Sequence, residues 1–233
     1  METAIAKTVE AAEQTLRKFA PQEMDVTRDA FEIVSFVLLH EHDQWQTHIK
    51  ALKGQDAEEL RVQVDGVYVK VKDGALPSGA DSTTLVDLMQ VNGLNRPLNY
   101  ARTALNGILA ALDPILRGRT DYAASYYVHR QWQADNPSRT EAAVTGSFAE
   151  LPREEMFKDL IIANSIRLKL IDLPWLPDQT RSLLSAGGMV TRQDVAEMNY
   201  PPAWDEYMEQ AGDAIPGTFA AVKERIKELA KNV

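Results

Sequence analysis

The chain contains no cysteine among its 233 residues. Disulfides, Cys-ligated zinc, iron–sulfur clusters and thiol catalysis are therefore excluded. A chain without cysteine suits a reducing compartment, where disulfides do not persist. We therefore expect a cytoplasmic protein.

Long apolar runs are also missing. The longest unbroken run covers residues 108–112, far short of the roughly 20 residues that span a membrane as a helix. The first residues, Met1-Glu2-Thr3-Ala4, include no apolar stretch of the kind found in a signal peptide. We expect neither a membrane segment nor a cleaved leader.

The short motifs that identify common enzymes are absent as well. The sequence has no GxSxG, no GxGxxG, no GxxxxGK[ST] and no HExxH. We therefore expect a non-enzymatic protein that needs no cofactor.

Hydrophobic residues make up 45% of the chain and charged residues 25%, as in an average globular domain. Eleven prolines and twelve glycines separate segments that are mostly of helical period. The pattern predicts one mainly α domain over residues 1–233, α+β by strict count, with one β-hairpin and one candidate boundary near residues 135–150. The expected helices cover residues 2–19, 28–53, 83–92, 97–112, 120–133, 152–171, short pieces within 178–212, and 216–231.

The hairpin prediction covers residues 60–72. Asp65-Gly66 supplies the positive φ angles of a type I′ turn, and the flanking residues alternate between apolar and polar. A two-residue turn then places six aliphatic side chains on one face, which must be covered. We predict that this hairpin is an arm in a homo-oligomer. The six residues are Leu60, Val62, Val64, Val67, Val69 and Val71.

Three of the four histidines lie within nine residues, at His40, His42 and His48. On a helix His40 and His42 point to nearly opposite sides, and His40 and His48 lie about 12 Å apart along the axis. His40 and Asp43 are the one His–carboxylate pair of this cluster at helical spacing. We expect no tightly bound transition metal, because two ligands rarely hold such an ion alone.

Residues 96–139 differ in composition from the rest of the chain. They contain six arginines, three aspartates and no lysine or glutamate, for a net charge of +3 in a chain of net −9. Arginine and aromatic residues are typical of protein interfaces. The alternative is that these arginines pair with the chain's own carboxylates. The candidate interface residues are Arg117, Arg119, Tyr122, Tyr126, Arg130 and Trp132.

The same stretch contains Asp121, Ser125 and His129 at spacing i, i+4 and i+8. This spacing resembles a catalytic triad only superficially. Ser125 and His129 are one turn apart, but Asp121 lies two turns from His129 and cannot orient its imidazole. We therefore expect no nucleophilic catalysis here.

Residues 181–198 have the outline of a helix-turn-helix, with glycines at 187 and 188 and a capping Thr191. The outline is also similar to short helical hairpins of portal-type proteins of tailed phages. Asp194 and Glu197 would repel DNA phosphates. A plain helical hairpin is the simpler interpretation, since such glycines and caps occur at many helix ends.

These patterns favour a non-enzymatic assembly or adaptor protein that acts through protein–protein contacts and forms a homo-oligomer. A structural component of a larger assembly, such as a phage virion, would fit this description. One alternative is a helical metal-dependent enzyme using His40 and Asp43. The other is a nucleic-acid-binding regulator, which the acidic total charge disfavours.

Overall fold

The computed structural model describes residues 1–38, 98–141, 145–146, 148, 151–198 and 214–216. This part of the chain is mostly helical, which confirms the predicted fold class. Several predicted features lie outside the described residues. They are the hairpin, the histidine cluster with Asp43, and the helices expected at 83–92 and 216–231, except that Pro216 of the last helix is described. The helices are α1 (Glu2–Leu16), α2 (27–38), α3 (Leu98–Leu116), α4 (Asp121–Asp135), α5 (Arg153–Ile171), α6 (Asp178–Ser185) and α7 (Arg192–Met198).

The chain forms two compact units, residues 1–109 and 110–233, so that helix α3 contributes to both. The candidate boundary near residues 135–150 falls inside the second unit. In the first unit α1 buries Ile5, Ala12 and Leu16 at helical spacing. Within the described ranges, no helix is both long and apolar enough to cross a bilayer.

Helix α3 corrects one predicted boundary. We expected Asp113-Pro114 to end it near residue 112, but the helix continues through Pro114 to Leu116. A proline inside a helix costs about 3 kcal/mol, because it removes one hydrogen bond and crowds the preceding turn. The next residues, Ile115 and Leu116, are 0% and 3% exposed. Burying two such side chains contributes about 1.5–3 kcal/mol each, which offsets the proline.

Glycines at positive φ end α3 and α6 in the same way. Beyond α3, Gly118 has φ 80°, its N–H donates to the Ile115 carbonyl at 2.8 Å, and the Arg119 N–H donates to the Pro114 carbonyl at 3.1 Å. Beyond α6, the Gly188 N–H donates to the Leu183 carbonyl at 2.6 Å. This paired arrangement satisfies the last carbonyls of a helix and is called a Schellman motif.

These two helix ends pack against each other. The Met189 N–H donates to the Gly118 carbonyl at 2.7 Å, and the Thr120 N–H donates to the Met189 carbonyl at 2.9 Å. A Cβ on Gly188, whose φ is 84°, would lie 2.1 Å from the Arg119 carbonyl oxygen. Only glycine therefore allows this approach.

A short strand separates α6 from α7, which the helix-turn-helix outline did not predict. Strand β1 (Met189–Thr191) pairs antiparallel with β2 (Ala214–Pro216), with Val190 opposite Ile215. The glycines at 187 and 188 and the cap at Thr191 lie where the sequence predicted them.

The core of the second unit forms where α4, α5 and β1–α7 meet. Thr120 caps the start of helix α4, and its hydroxyl accepts the Ala123 N–H at 3.0 Å. Helix α5 begins at Arg153, one residue after the predicted start at Pro152, which is its N-cap. The buried side chains of this core are Tyr122, Ala123, Phe148, Leu151, Met156, Leu160, Val190, Val195 and Met198.

Candidate functional site

Asp121 joins α4 to α5 through a buried ion pair. The Arg167 Nε–H donates to both carboxylate oxygens of Asp121 at 2.8 and 2.9 Å, and the Asn164 amide donates at 3.0 Å. Arg167 also donates to the Leu184 carbonyl at the end of α6. Burial raises the pKa of Asp121 despite the Arg167 charge beside it. This cluster holds three helices together and leaves Asp121 no role at His129.

Asp194 makes a second buried contact, at the start of α7. Its carboxylate accepts from the Thr191 N–H and hydroxyl at 2.8 and 2.9 Å, and the Asp194 N–H donates back to the Thr191 hydroxyl at 3.3 Å. This is a capping box, which satisfies otherwise unpaired N–H groups of the first turn. Arg119 pairs with Asp194 at 3.0 Å and also donates to the Thr191 hydroxyl.

His129 is held by a carboxylate that the sequence spacing did not identify. Its Nδ1 lies 3.1 Å from Oδ2 of Asp159 on α5, and both side chains are at most 10% exposed. Burial raises the pKa of Asp159 to about 6, and the His129 contact opposes this shift. His129 Nε2 is buried and has no hydrogen-bond partner among the described residues. Ser125 instead donates to the Asp121 carbonyl at 2.5 Å.

His129 belongs to a continuous line of four rings, which we call the aromatic row: Trp132, His129, Phe148 and Tyr126. Trp132 stacks on His129 with centroids 5.9 Å apart and planes 15° apart. Phe148 follows at 5.7 Å from His129 and 6.4 Å from Tyr126. Offset or edge-on packing at such distances is favourable beyond the area buried.

An arginine lies over each end of the aromatic row. The Arg130 guanidinium is 6.0 Å from the Tyr126 ring centre, and that of Arg139 is 5.9 Å from the Trp132 ring centre. These are cation–π distances. Arg139 also pairs with Glu141 at 2.9 Å. The two middle rings are buried, whereas Trp132 and Tyr126 are half-buried and both arginines are exposed.

The structure separates the predicted interface residues of the arginine-rich stretch into three sets. Arg119 and Tyr122 lie inside the second unit, where Arg119 binds Asp194 and Tyr122 packs 5.1 Å from Phe148. Arg117 is exposed and pairs with Asp113 one turn earlier, at 2.7 Å. The remaining three, Tyr126, Arg130 and Trp132, come together at the aromatic row. The predicted aliphatic face at residues 60–71 and the His40–Asp43 pair lie outside the described residues.

Sequence reasoning missed two residues of this region, Phe148 and Asp159, and counted Arg139 in the arginine-rich stretch without naming it as an interface residue. Asp159 carried a usable signal, because it is a carboxylate among the apolar residues Met156, Leu160 and Ile162 of a helix, and buried carboxylates need partners. Phe148 carried none, since it lies in a stretch without periodicity. Within the described ranges, no three His, Asp or Glu side chains come together as a metal-binding set.

Comparison with known proteins adds no assignment: no protein-family model, no curated protein and no solved structure matches this chain. Its function is therefore argued from its own residues.

Proposed function

We propose that this chain is an assembly or adaptor protein, and that a second copy of the chain binds at the aromatic row through Arg130, Arg139 and the half-buried rings beneath them. One observation carries this proposal. Arg130 lies exposed over Tyr126, and no carboxylate of the described residues pairs with it. A few residues supply most of the binding energy at protein interfaces, and Trp, Tyr and Arg are enriched among them.

The charge distribution supports a second copy as the partner. Residues 96–139 carry a net charge of +3 in a chain of −9, which leaves −12 on the remainder. The acidic remainder of a second copy supplies carboxylates for the exposed Arg130 and Arg139. Such complementarity accelerates association and selects partners.

Sedimentation velocity over a range of concentrations tests the proposal. We expect the wild-type protein to reach at least twice its monomer mass of 26.0 kDa. The double variant Arg130→Gln/Arg139→Gln removes both terminal cations and leaves the rings in place. It is expected to weaken self-association about tenfold or more, since each interface arginine contributes on the order of 1–3 kcal/mol.

The double variant Arg17→Gln/Arg117→Gln is the matched control. It makes the same charge change at exposed arginines that pair with carboxylates one turn away, Glu13 and Asp113. We expect it to associate like the wild type. A wild type that stays at monomer mass at every concentration, or equal losses in both double variants, would contradict the proposal.

A further inference from the structure

An open cavity lies between α1 and the beginning of α3, within the first unit. Its volume is about 360 Å³, inside the range of small-molecule sites. Thr3, Ala4 and Lys7 of α1 line one wall, and Arg102 and Leu105 of α3 line the opposite one. The spacings are helical, so each wall is one face of a helix.

The charges around this cavity have one sign. Of the residues that the structure describes, Lys7 and Arg102 are the only ones with charged side chains that line it, and none of these described residues contributes a carboxylate. Neither cation pairs with a carboxylate of the described residues. By contrast, Arg17 and Arg28, elsewhere in the same unit, pair with Glu13 and Glu32. In a chain of net charge −9, a cavity whose described lining has two cations and no acid is a local exception.

Apart from the polar residues Thr3, Thr8 and Asn106, the remainder of the described lining is apolar. Leu105 is 1% exposed and forms the floor, with Leu109 one turn further along α3 and Ala4 opposite. The Thr8 hydroxyl does not face a ligand, because it donates to the Ala4 carbonyl at 3.0 Å. The cavity therefore offers cations for an anionic group and an apolar surface for a hydrocarbon chain.

We propose that this cavity binds a small organic carboxylate with a short apolar chain. The carboxylate lies between Lys7 and Arg102, and the chain lies against Leu105 and Leu109. The planar guanidinium of Arg102 matches a carboxylate with two parallel hydrogen bonds, and the Lys7 ammonium adds a second charge. This site lies in a different unit from the aromatic row and does not depend on the proposed self-association.

Isothermal titration of the full-length protein with octanoate tests the site, with octanamide and inorganic phosphate as companion probes. Octanamide has the same chain without the charge, and phosphate has the charge without the chain. We expect saturable 1:1 binding of octanoate and binding at least about tenfold weaker for both companions, since tenfold corresponds to about 1.4 kcal/mol.

The double variant Lys7→Gln/Arg102→Gln is expected to weaken octanoate binding about tenfold or more. Its control is Arg17→Gln/Lys18→Gln, which makes the same charge change at exposed residues outside the cavity. All four positions are exposed, and far-ultraviolet circular dichroism verifies that each variant is folded. A single variant, Leu109→Asn, tests the apolar wall without changing charge and is expected to weaken octanoate but not phosphate.

Three results would overturn the proposal. One is the absence of saturable octanoate binding. Another is equal binding of octanamide, which would show an apolar groove without anion recognition. The third is an equal loss in the cavity variant and its control, which would show that only the total charge matters.

Discussion

Four arginines of the second unit fall into two regions with different roles. Arg119 and Arg167 have side chains 19% and 16% exposed, and each holds a buried aspartate from a distant part of the chain. Arg117 and Arg139 are 58% and 48% exposed, and each pairs with an acid within four residues. Only the buried contacts constrain the fold, because solvent screens exposed pairs and a buried charge without its partner is costly.

The largest test of this comparison removes one buried partner. Arg167→Met leaves the Asp121 carboxylate with only the Asn164 amide, so we expect a loss of about 3–5 kcal/mol in the free energy of unfolding. Urea denaturation followed by circular dichroism measures it. Arg117→Met makes the same chemical change at an exposed pair and is expected to leave the urea midpoint unchanged. Similar losses in both variants would remove the distinction between the two regions.

A second test uses pH. The folded-state pKa of Asp159 is about 6, above its ordinary value of 3.8. The fold therefore favours the protonated acid. Its contribution to stability is complete below about pH 4 and is lost as pH rises through about 6. The charged and titratable groups acting on this carboxyl are His129 from α4 and Glu155 and Lys158 from its own helix.

Asp159→Asn removes this titration while keeping the size of the side chain. Between about pH 4 and pH 7, the wild type is expected to lose at most about 3 kcal/mol of unfolding free energy relative to the variant. Urea titrations at several pH values measure this difference. A difference that stays constant, or that favours the wild type as pH rises, would show that Asp159 is ionised throughout this interval.

A third, smaller test concerns the capping box beside Arg119. Thr191→Ala removes the hydroxyl that accepts the Asp194 N–H, so we expect a loss of about 1 kcal/mol, as for other helix caps. Thr191→Ser keeps the hydroxyl and is expected to retain most of the stability. If serine and alanine destabilise equally, the methyl group of Thr191 and not its hydroxyl stabilises this corner.

The smallest expected effect belongs to the surface. Arg139→Gln breaks an exposed pair with Glu141 and removes the cation over Trp132. Its urea midpoint is expected to match that of the wild type, because such pairs contribute little to folding. A clear fall in the urea midpoint would show that Arg139 stabilises the fold as the buried arginines do.

Local signals in the sequence predicted the helical class, the starts of α4 and α5, and the turn at residues 187–188. Each depends on a few neighbouring residues, such as Thr120 at a cap or Pro152 before a first turn. The predicted end of α3 was wrong, because burial of Ile115 and Leu116 outweighs the local free-energy cost of Pro114 in the helix. Helical spacing also ruled out Asp121 as the partner of His129.

Local signals in the sequence could not predict which residues pair in the buried contacts. His129 and Asp159 are 30 residues apart, and Arg119 and Asp194 are 75 apart. No periodicity links such positions. Only tertiary packing, of α4 on α5 and of α7 beside Arg119, brings them together. The sequence therefore identified the arginine-rich stretch as a region. Which of its arginines face inward is decided by tertiary contacts.

The contact between Gly118 and Met189 has a consequence for the order of folding. It closes a loop of about 70 residues, as does the neighbouring contact of Arg119 and Thr191, whose positions differ by 72. Closing such a loop costs entropy before any contact compensates for it, so this junction is expected to form after the helices. Gly118→Ala, strained by its φ of 80°, should therefore accelerate unfolding in stopped-flow experiments and leave the folding rate nearly unchanged.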